Sequence, residues 1–201
     1  LLVVFEKRSR KAFVVMETIE ASMRDTLVTR DMIAKFFPLT VTRDLLRRGG
    51  PRHKEYAATV LVATDLVGFA QHAGISDPAA VVASLAKLFK AIDSAAARHG
   101  VEKVSTVADA YVGAVFPRRA EDEFNAHEAA PRASHGAAFA CAVLDLARPL
   151  QMRAAAHIGD CTGAFVGLRP PKFDVFGRAA DEVRQGLALC PPARAHLSST
   201  L

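Results

Sequence analysis

At 201 residues the chain is long enough for one sizeable mixed domain with an appendage, and its 51% hydrophobic content supplies a core. Its 26 basic and 21 acidic side chains leave a formal charge of +5, concentrated in "EKRSRK" and "RRGGPRHK" with no interleaved aromatics, which argues against a nucleic-acid binder. Cys141, Cys161 and Cys190 lack metal-type spacing, and their odd number argues against a disulfide framework, so a reducing compartment is expected.

The chain opens "LLVVFEKRSRKAF". Five apolar residues before a basic cluster read equally as the last turn of a membrane helix with its charges on the cytosolic side, or as an ordinary helix start. No signal peptide and no full transmembrane run is present. Met16, Ile19, Met23 and Leu27 recur at three- and four-residue steps, which predicts one apolar stripe on a long helix and pairing in a parallel coiled coil. Pro38 breaks that helix, and a second short one runs to Gly49-Gly50. These residues, 1–50, are expected to form a signalling helix and linker, and 51–201 the globular domain.

In that domain "AATVLVATD" reads as a buried strand. "DPAAVVASLAKLFKAIDSAAARHG" reads as a helix, capped by Asp77, with Pro78 in its first turn and Gly100 at its end. "VEKVSTVAD" and "AYVGAVFP" form two strands about a tight turn at Asp109, and "EDEFNAHEAAPR" a polar loop. "ASHGAAFACAVLDLARPL" is the next helix, and "QMRAAAHIGD" and "GAFVGL" a further strand pair. "GRAADEVRQGLALC" is a third helix and "ARAHLSS" a last strand. The order β-α-β-β-α-β predicts an α/β (α+β) domain of the ferredoxin-like arrangement with additions.

Two carboxylates stand out. Asp65 ends the first strand and Asp109 lies in the hairpin turn. In this topology the two strands lie side by side at the sheet centre, so the carboxylates meet at one edge. Such a pair, with nothing basic nearby in sequence, suits a hard cation such as Mg²⁺; the other reading is that each Asp caps a turn. Neither a GxxxxGK phosphate loop nor a GxSxG elbow occurs. His157, in an apolar strand, reads as a hydrogen-bonded core histidine rather than a ligand.

Several segments in order resemble one family. "TVLVATDLVGF" is similar to a strand ending in Asp-Ile-x-Gly-Phe, "GVEKVSTVADAYVGAVFP" to its hairpin, and "MRAAAHIGDCTGAFVGLRPPKFDVFG" to its later strands. "FFPLTVTRDLLRRG" and "FEKRSRKAFVVMETIE" resemble its linker segments. The family is the class III nucleotide cyclases, the adenylyl and guanylyl cyclase catalytic domains. The resemblance implies a ferredoxin-like cyclase palm, a head-to-tail dimer, and attack of the ribose 3′-oxygen of ATP or GTP on the α-phosphate. It implies Asp65 and Asp109 as the catalytic, metal-binding pair for two Mg²⁺ or Mn²⁺ ions, with the Leu66 carbonyl as a further ligand. It also places the amides of Val67, Gly68 and Phe69 near the phosphates. Ala108 stands where the family has Gly, which is tolerable at negative φ.

The opposite half of the family site is degenerate. Its Asn and Arg positions are Asp181 and Gln185, and neutral Gln lacks the charge of an arginine fork. Arg184 is one residue early. The purine-reading positions are Ser105 and Asp174, of which only Asp174 matches a family residue, that of the adenylyl type. A metal half kept and a purine half lost implies the metal-donating subunit of a heterodimer, its partner supplying Asn, Arg and the purine contacts. An inactive pseudo-cyclase acting in dimerisation and regulation is the alternative, and a homodimer using Asp181 and Arg184 a third reading. An upstream membrane sensor and a location at the cytoplasmic face of a membrane are expected from the linker; nucleic acid is not expected as a partner. The family's triphosphate-binding Lys hairpin has no counterpart up to residue 201.

Overall fold

Pro38 punctuates the first of two units, Leu1–Gly50 and Pro51–Leu201, into which the chain divides. The computed structural model describes residues 22, 25–33, 35–48, 53–117, 126–167 and 172–201. In the first unit residues 25–33 are helical, and helix α1 (Leu39–Arg48) begins directly after the proline. The Thr42 N–H donates to the Pro38 carbonyl at 2.8 Å, so the ring sits where its missing N–H costs no helical bond. Leu27, on the proposed stripe, is 62% exposed. Met16, Ile19, Met23 and the Gly49-Gly50 stop lie outside the described residues. Among the described residues no helix is long and apolar enough to cross a membrane.

The second unit runs β1 (His53–Leu66), α2 (Phe69–Ile75), α3 (Pro78–Arg98), β2 (Glu102–Val107), β3 (Ala110–Val115), α4 (Ala126–Leu146), β4 (Met152–Val166), β5 (Lys172–Phe176), α5 (Arg178–Leu189) and β6 (Ala195–Leu197). The sheet order is β2-β3-β1-β4-β5, with every neighbouring pair antiparallel, and β6 lies parallel to β4. The first four strands are the ferredoxin-like core predicted from the element order. β5 and β6 divide the outer side of β4, pairing Thr162–Val166 and Ala154–Ala156 respectively. Although β2 and β5 are the two edges, they also touch, so the sheet is strongly curved.

Alternation along β1 builds two cores. Val60, Val62 and Leu66 join Met152, Ala154, Ala156 and Tyr111 on one face, under Leu88 and Ile92 of α3 and Phe139, Ala140 and Val143 of α4. Ala155 and His157, opposite Ala63 and Leu61, face the other way, where Gly186 and Ala179 of α5 approach closely. β1 is therefore covered on both faces, which is why it reads as an almost unbroken apolar run. α3 has the predicted ends: the Asp77 carboxylate accepts from the Ala80 N–H at 3.0 Å, and Gly100 takes positive φ.

Two elements differ from expectation. "QMRAAAHIGD" and "GAFVGL" are one fifteen-residue strand, β4, whose hairpin partner is β5. No turn forms at Asp160 because β4 stays paired with β1 throughout, and its carboxylate is engaged across the strands by the Ala58 N–H at 2.9 Å. The polar loop is helical from Ala126, with Pro131 inside α4. Arg132, read as loop, is 7% exposed and donates from Nε to the Ala58 carbonyl. β1 also begins at His53, earlier than the apolar run suggests.

Gly136 shows how tightly α4 seats on the sheet. A Cβ there would lie 2.4 Å from Cγ1 of Val60, a fully buried and χ1-restricted side chain. Gly136→Ala gains about 1 kcal/mol of helix propensity but overpacks by about 1–3 kcal/mol. The expected outcome is a net destabilisation of up to about 2 kcal/mol in chemical denaturation, whereas a gain would show α4 to be loosely seated.

Candidate active site

β1 carries the first carboxylate to the end of the sheet, and the β2–β3 turn carries the second beside it. The Asp109 Oδ2 accepts from the Leu66 N–H at 3.1 Å, across 43 residues of sequence, so the two aspartates flank the same strand end. The pairing of Thr64 with Tyr111 fixes this register, since it leaves Ala108 and Asp109 just past the last rung.

Asp65 has a partner that lay unnoticed in the sequence. Arg153 stands directly opposite it on β4. Its Nε donates to Oδ1 at 2.6 Å and its Nη2 to Oδ2 at 2.9 Å, a bidentate fork. A third donation, Nη1 to the Ala188 carbonyl at 3.4 Å, ties the guanidinium to the C-terminal end of α5. The two side chains are 31% and 21% exposed. Hydrogen bonding to Asp65 moves the guanidinium pKa above its ordinary value, and the charge of Asp109 adds to this. The signal for Arg153 was its place on the strand adjacent to Asp65; the strand order had to be known before that could be used.

The segment after Asp65 enters α2 through Gly68, at φ 74°. The Val67 N–H is bonded to the Gln151 carbonyl at 2.8 Å, so only Gly68 and Phe69 are left as candidate anion donors there. Ala108 has φ 52°, not the negative value that would make its methyl harmless. The turn requires the left-handed conformation that Gly adopts freely and a Cβ makes costly.

The remaining positions lie on other elements. Ser105, half-buried on β2, and Asp174, half-buried on β5, are carried by the two strands that curl into contact. Asp174 Oδ1 accepts from the Val175 N–H at 2.9 Å, and Lys172 Nζ lies 3.5 Å from Oδ2. Asp181 and Gln185 are exposed on α5. Arg184 turns back, with Nη1 3.4 Å from Asp181 and Nη2 3.4 Å from the Val175 carbonyl. His157 sits elsewhere, its Nδ1 3.0 Å from the Ser198 hydroxyl, and burial lowers its pKa.

Asp65, Asp109 and the Leu66 backbone offer oxygen ligands only, and no cluster of three His, Cys, Asp or Glu occurs among the described residues. Such a set fits a cation that takes its other ligands from water and substrate phosphates, as Mg²⁺ does.

A mixed fold built on a curved antiparallel sheet, with a carboxylate pair at one strand end, defines the class. The sequence pattern of the adenylate and guanylate cyclase catalytic domain matches residues 52–185, and the chain belongs to this family. It is 28% identical over 187 residues to guanylate cyclase D of Mus musculus, covering 86% of this chain and 16% of that protein. It is 31% identical over 116 residues to the germination-specific adenylate cyclase of Dictyostelium discoideum, covering 56% of this chain and 14% of that one. Among solved structures, the guanylate cyclase domain of RhGC from Catenaria anguillulae in complex with GTP superposes with a TM-score of 0.65 at 22% identity, covering 73% of this chain and 81% of that chain. The adenylyl cyclase CyaB from P. aeruginosa gives 0.61 at 16% identity, covering 74% and 80%.

The left-handed Ala108 generates a test. Relief of about 1–2 kcal/mol of backbone strain, less about 0.4–1 kcal/mol of added unfolded-state entropy, should make Ala108→Gly more stable by up to about 1.5 kcal/mol. Thermal denaturation reads this as a raised midpoint; a lowered one would show that the turn is not left-handed.

Proposed function

We propose that this cyclase domain is the metal-bearing half of a two-chain active site, converting ATP or GTP to the 3′,5′-cyclic monophosphate and pyrophosphate. The observation that carries this reading is the contrast between its two sets of site positions. Asp65 and Asp109 converge on one strand end, whereas the Asn and Arg positions hold Asp181 and Gln185 on the exposed side of α5. A partner cyclase domain would then supply the Asn, the Arg and the purine contacts, and with them the choice of nucleotide.

Asp65 and Asp109, with the Leu66 carbonyl, would hold Mg²⁺ or Mn²⁺, which when bound neutralise triphosphate charge and favour ionisation of the ribose 3′-hydroxyl. Gly68 and Phe69 present backbone amides at the entry to α2, on the side of the site where phosphate would lie. Arg153 adds a positive charge to the same end. On the exposed side of α5, Asp181 would put a negative charge near an anionic nucleotide, and Gln185 would offer no charge to a transition state. Arg184 is engaged with Asp181 and β5, which weighs against the homodimer reading. An upstream sensor acting through the N-terminal segment, at the cytoplasmic face of a membrane, completes the proposal.

The regulatory pseudo-cyclase is the second reading, and retention of both carboxylates in one geometry speaks against it. The assay is cyclic nucleotide formation from ATP or GTP with Mn²⁺ or Mg²⁺. The domain is tested alone, then mixed with a cyclase domain that carries the family Asn and Arg but lacks its own metal aspartates. Product is expected only in the mixture, falling by about 10²-fold or more in Asp65→Ala. Product from this chain alone would establish the homodimer, and none in either case the pseudo-cyclase.

A further inference from the structure

We infer that Arg153 is an internal counter-ion that occupies Asp65 in the metal-free chain, so that a divalent ion must displace the guanidinium before it can bind. The inference rests on the reading of Asp65 as a metal ligand. It adds that loading this site is opposed by a residue of the same chain.

Geometry makes the ion pair specific. Asp65 and Arg153 are directly opposite in the β1–β4 register, so strand pairing alone brings them together. The fork engages both carboxylate oxygens, at 2.6 and 2.9 Å, leaving neither free of a donor. The Ala188 carbonyl holds the third contact and keeps the guanidinium from swinging away. Both side chains are more than two-thirds buried, so solvent screens the pair less than it would an exposed one. Asp109, by contrast, is held by a neutral backbone N–H.

A dication placed on Asp65 with the fork intact would put two positive centres on one carboxylate, within a few ångströms of each other. At partial burial their repulsion is large compared with thermal energy. Ion and guanidinium therefore compete, and the Arg153 interaction opposes metal binding at Asp65.

The test is Mn²⁺ affinity of the 201-residue chain without nucleotide, measured by calorimetry or by the electron paramagnetic resonance signal of free Mn²⁺. Arg153→Gln removes both charge and fork, and should bind Mn²⁺ about tenfold or more tightly than the unmodified chain. Arg153→Lys keeps the charge but loses the planar fork, and should fall between the two. Equal or weaker binding by Arg153→Gln overturns the inference. So does weaker binding by Arg153→Lys than by the unmodified chain, since losing the planar fork would then ease nothing; this arm also decides the matter if Arg153→Gln fails to fold. Asp65→Ala separates the two levels of argument. If it keeps the unmodified affinity, or if no variant binds Mn²⁺ saturably, the assignment of Asp65 is itself at fault and the competition falls with it.

Discussion

Strand β1 is the constraint on which the site depends. It pairs with β3 on one side and β4 on the other, and helices cover both its faces. A strand held on four sides has little freedom to slide, since a one-residue slip would exchange its two apolar faces. Asp65 is therefore delivered by a rigid rod, and its neighbours arrive by register. Arg153 comes from the strand on one side and the Asp109 turn from the strand on the other. The chemistry-bearing groups are on strand ends and a two-residue turn, where the scaffold leaves side chains free but fixes their origins.

The carboxylate end and the α5 surface are built on different physics. The carboxylate end is polar, paired and tied to backbone hydrogen bonds. The α5 surface carries Asp181, Arg184 and Gln185 in a local arrangement of weak, solvent-exposed contacts, of the kind that contributes little to stability. Substitution there perturbs nothing in the core, so the fold tolerates its loss. Changing Asp65 would instead strand a partly buried guanidinium, a costlier event. The fold can thus tolerate change on the α5 surface while holding its carboxylate end.

Much of this was legible in the sequence, for identifiable reasons. The Asp77 cap, Pro78 in the first turn and Gly100 marked α3, and the element order pointed to the ferredoxin-like core. The proximity of Asp65 and Asp109 followed from topology alone. What stayed hidden depended on contacts across the sheet. "IGDCTG" carries turn-like residues, yet pairing with β1 keeps it extended. "EDEFNAHEAAPR" looks solvated, yet Arg132 is buried and donates to the Ala58 carbonyl. Arg153 is one basic residue among many until the register sets it opposite Asp65. The backbone angle at Ala108 is invisible to composition, and only the resemblance to a Gly-bearing family hinted at it.

The bulge at Ala58 has a consequence for counting. Between Tyr56 and Thr59 β1 advances three residues while β4 moves only two, from Cys161 to Gly159. Both Ala58 backbone groups are nevertheless satisfied, the N–H by Asp160 and the carbonyl by Arg132. The extra residue inverts the parity of the strand, so odd positions before it share a face with even positions after it. A single-residue insertion or deletion between His53 and Asp65 would have to be absorbed at this clamp or would turn the first carboxylate to the wrong side of the sheet. Changes in steps of two would not. In evolutionary terms, Ala58 makes the length of this strand a digital quantity.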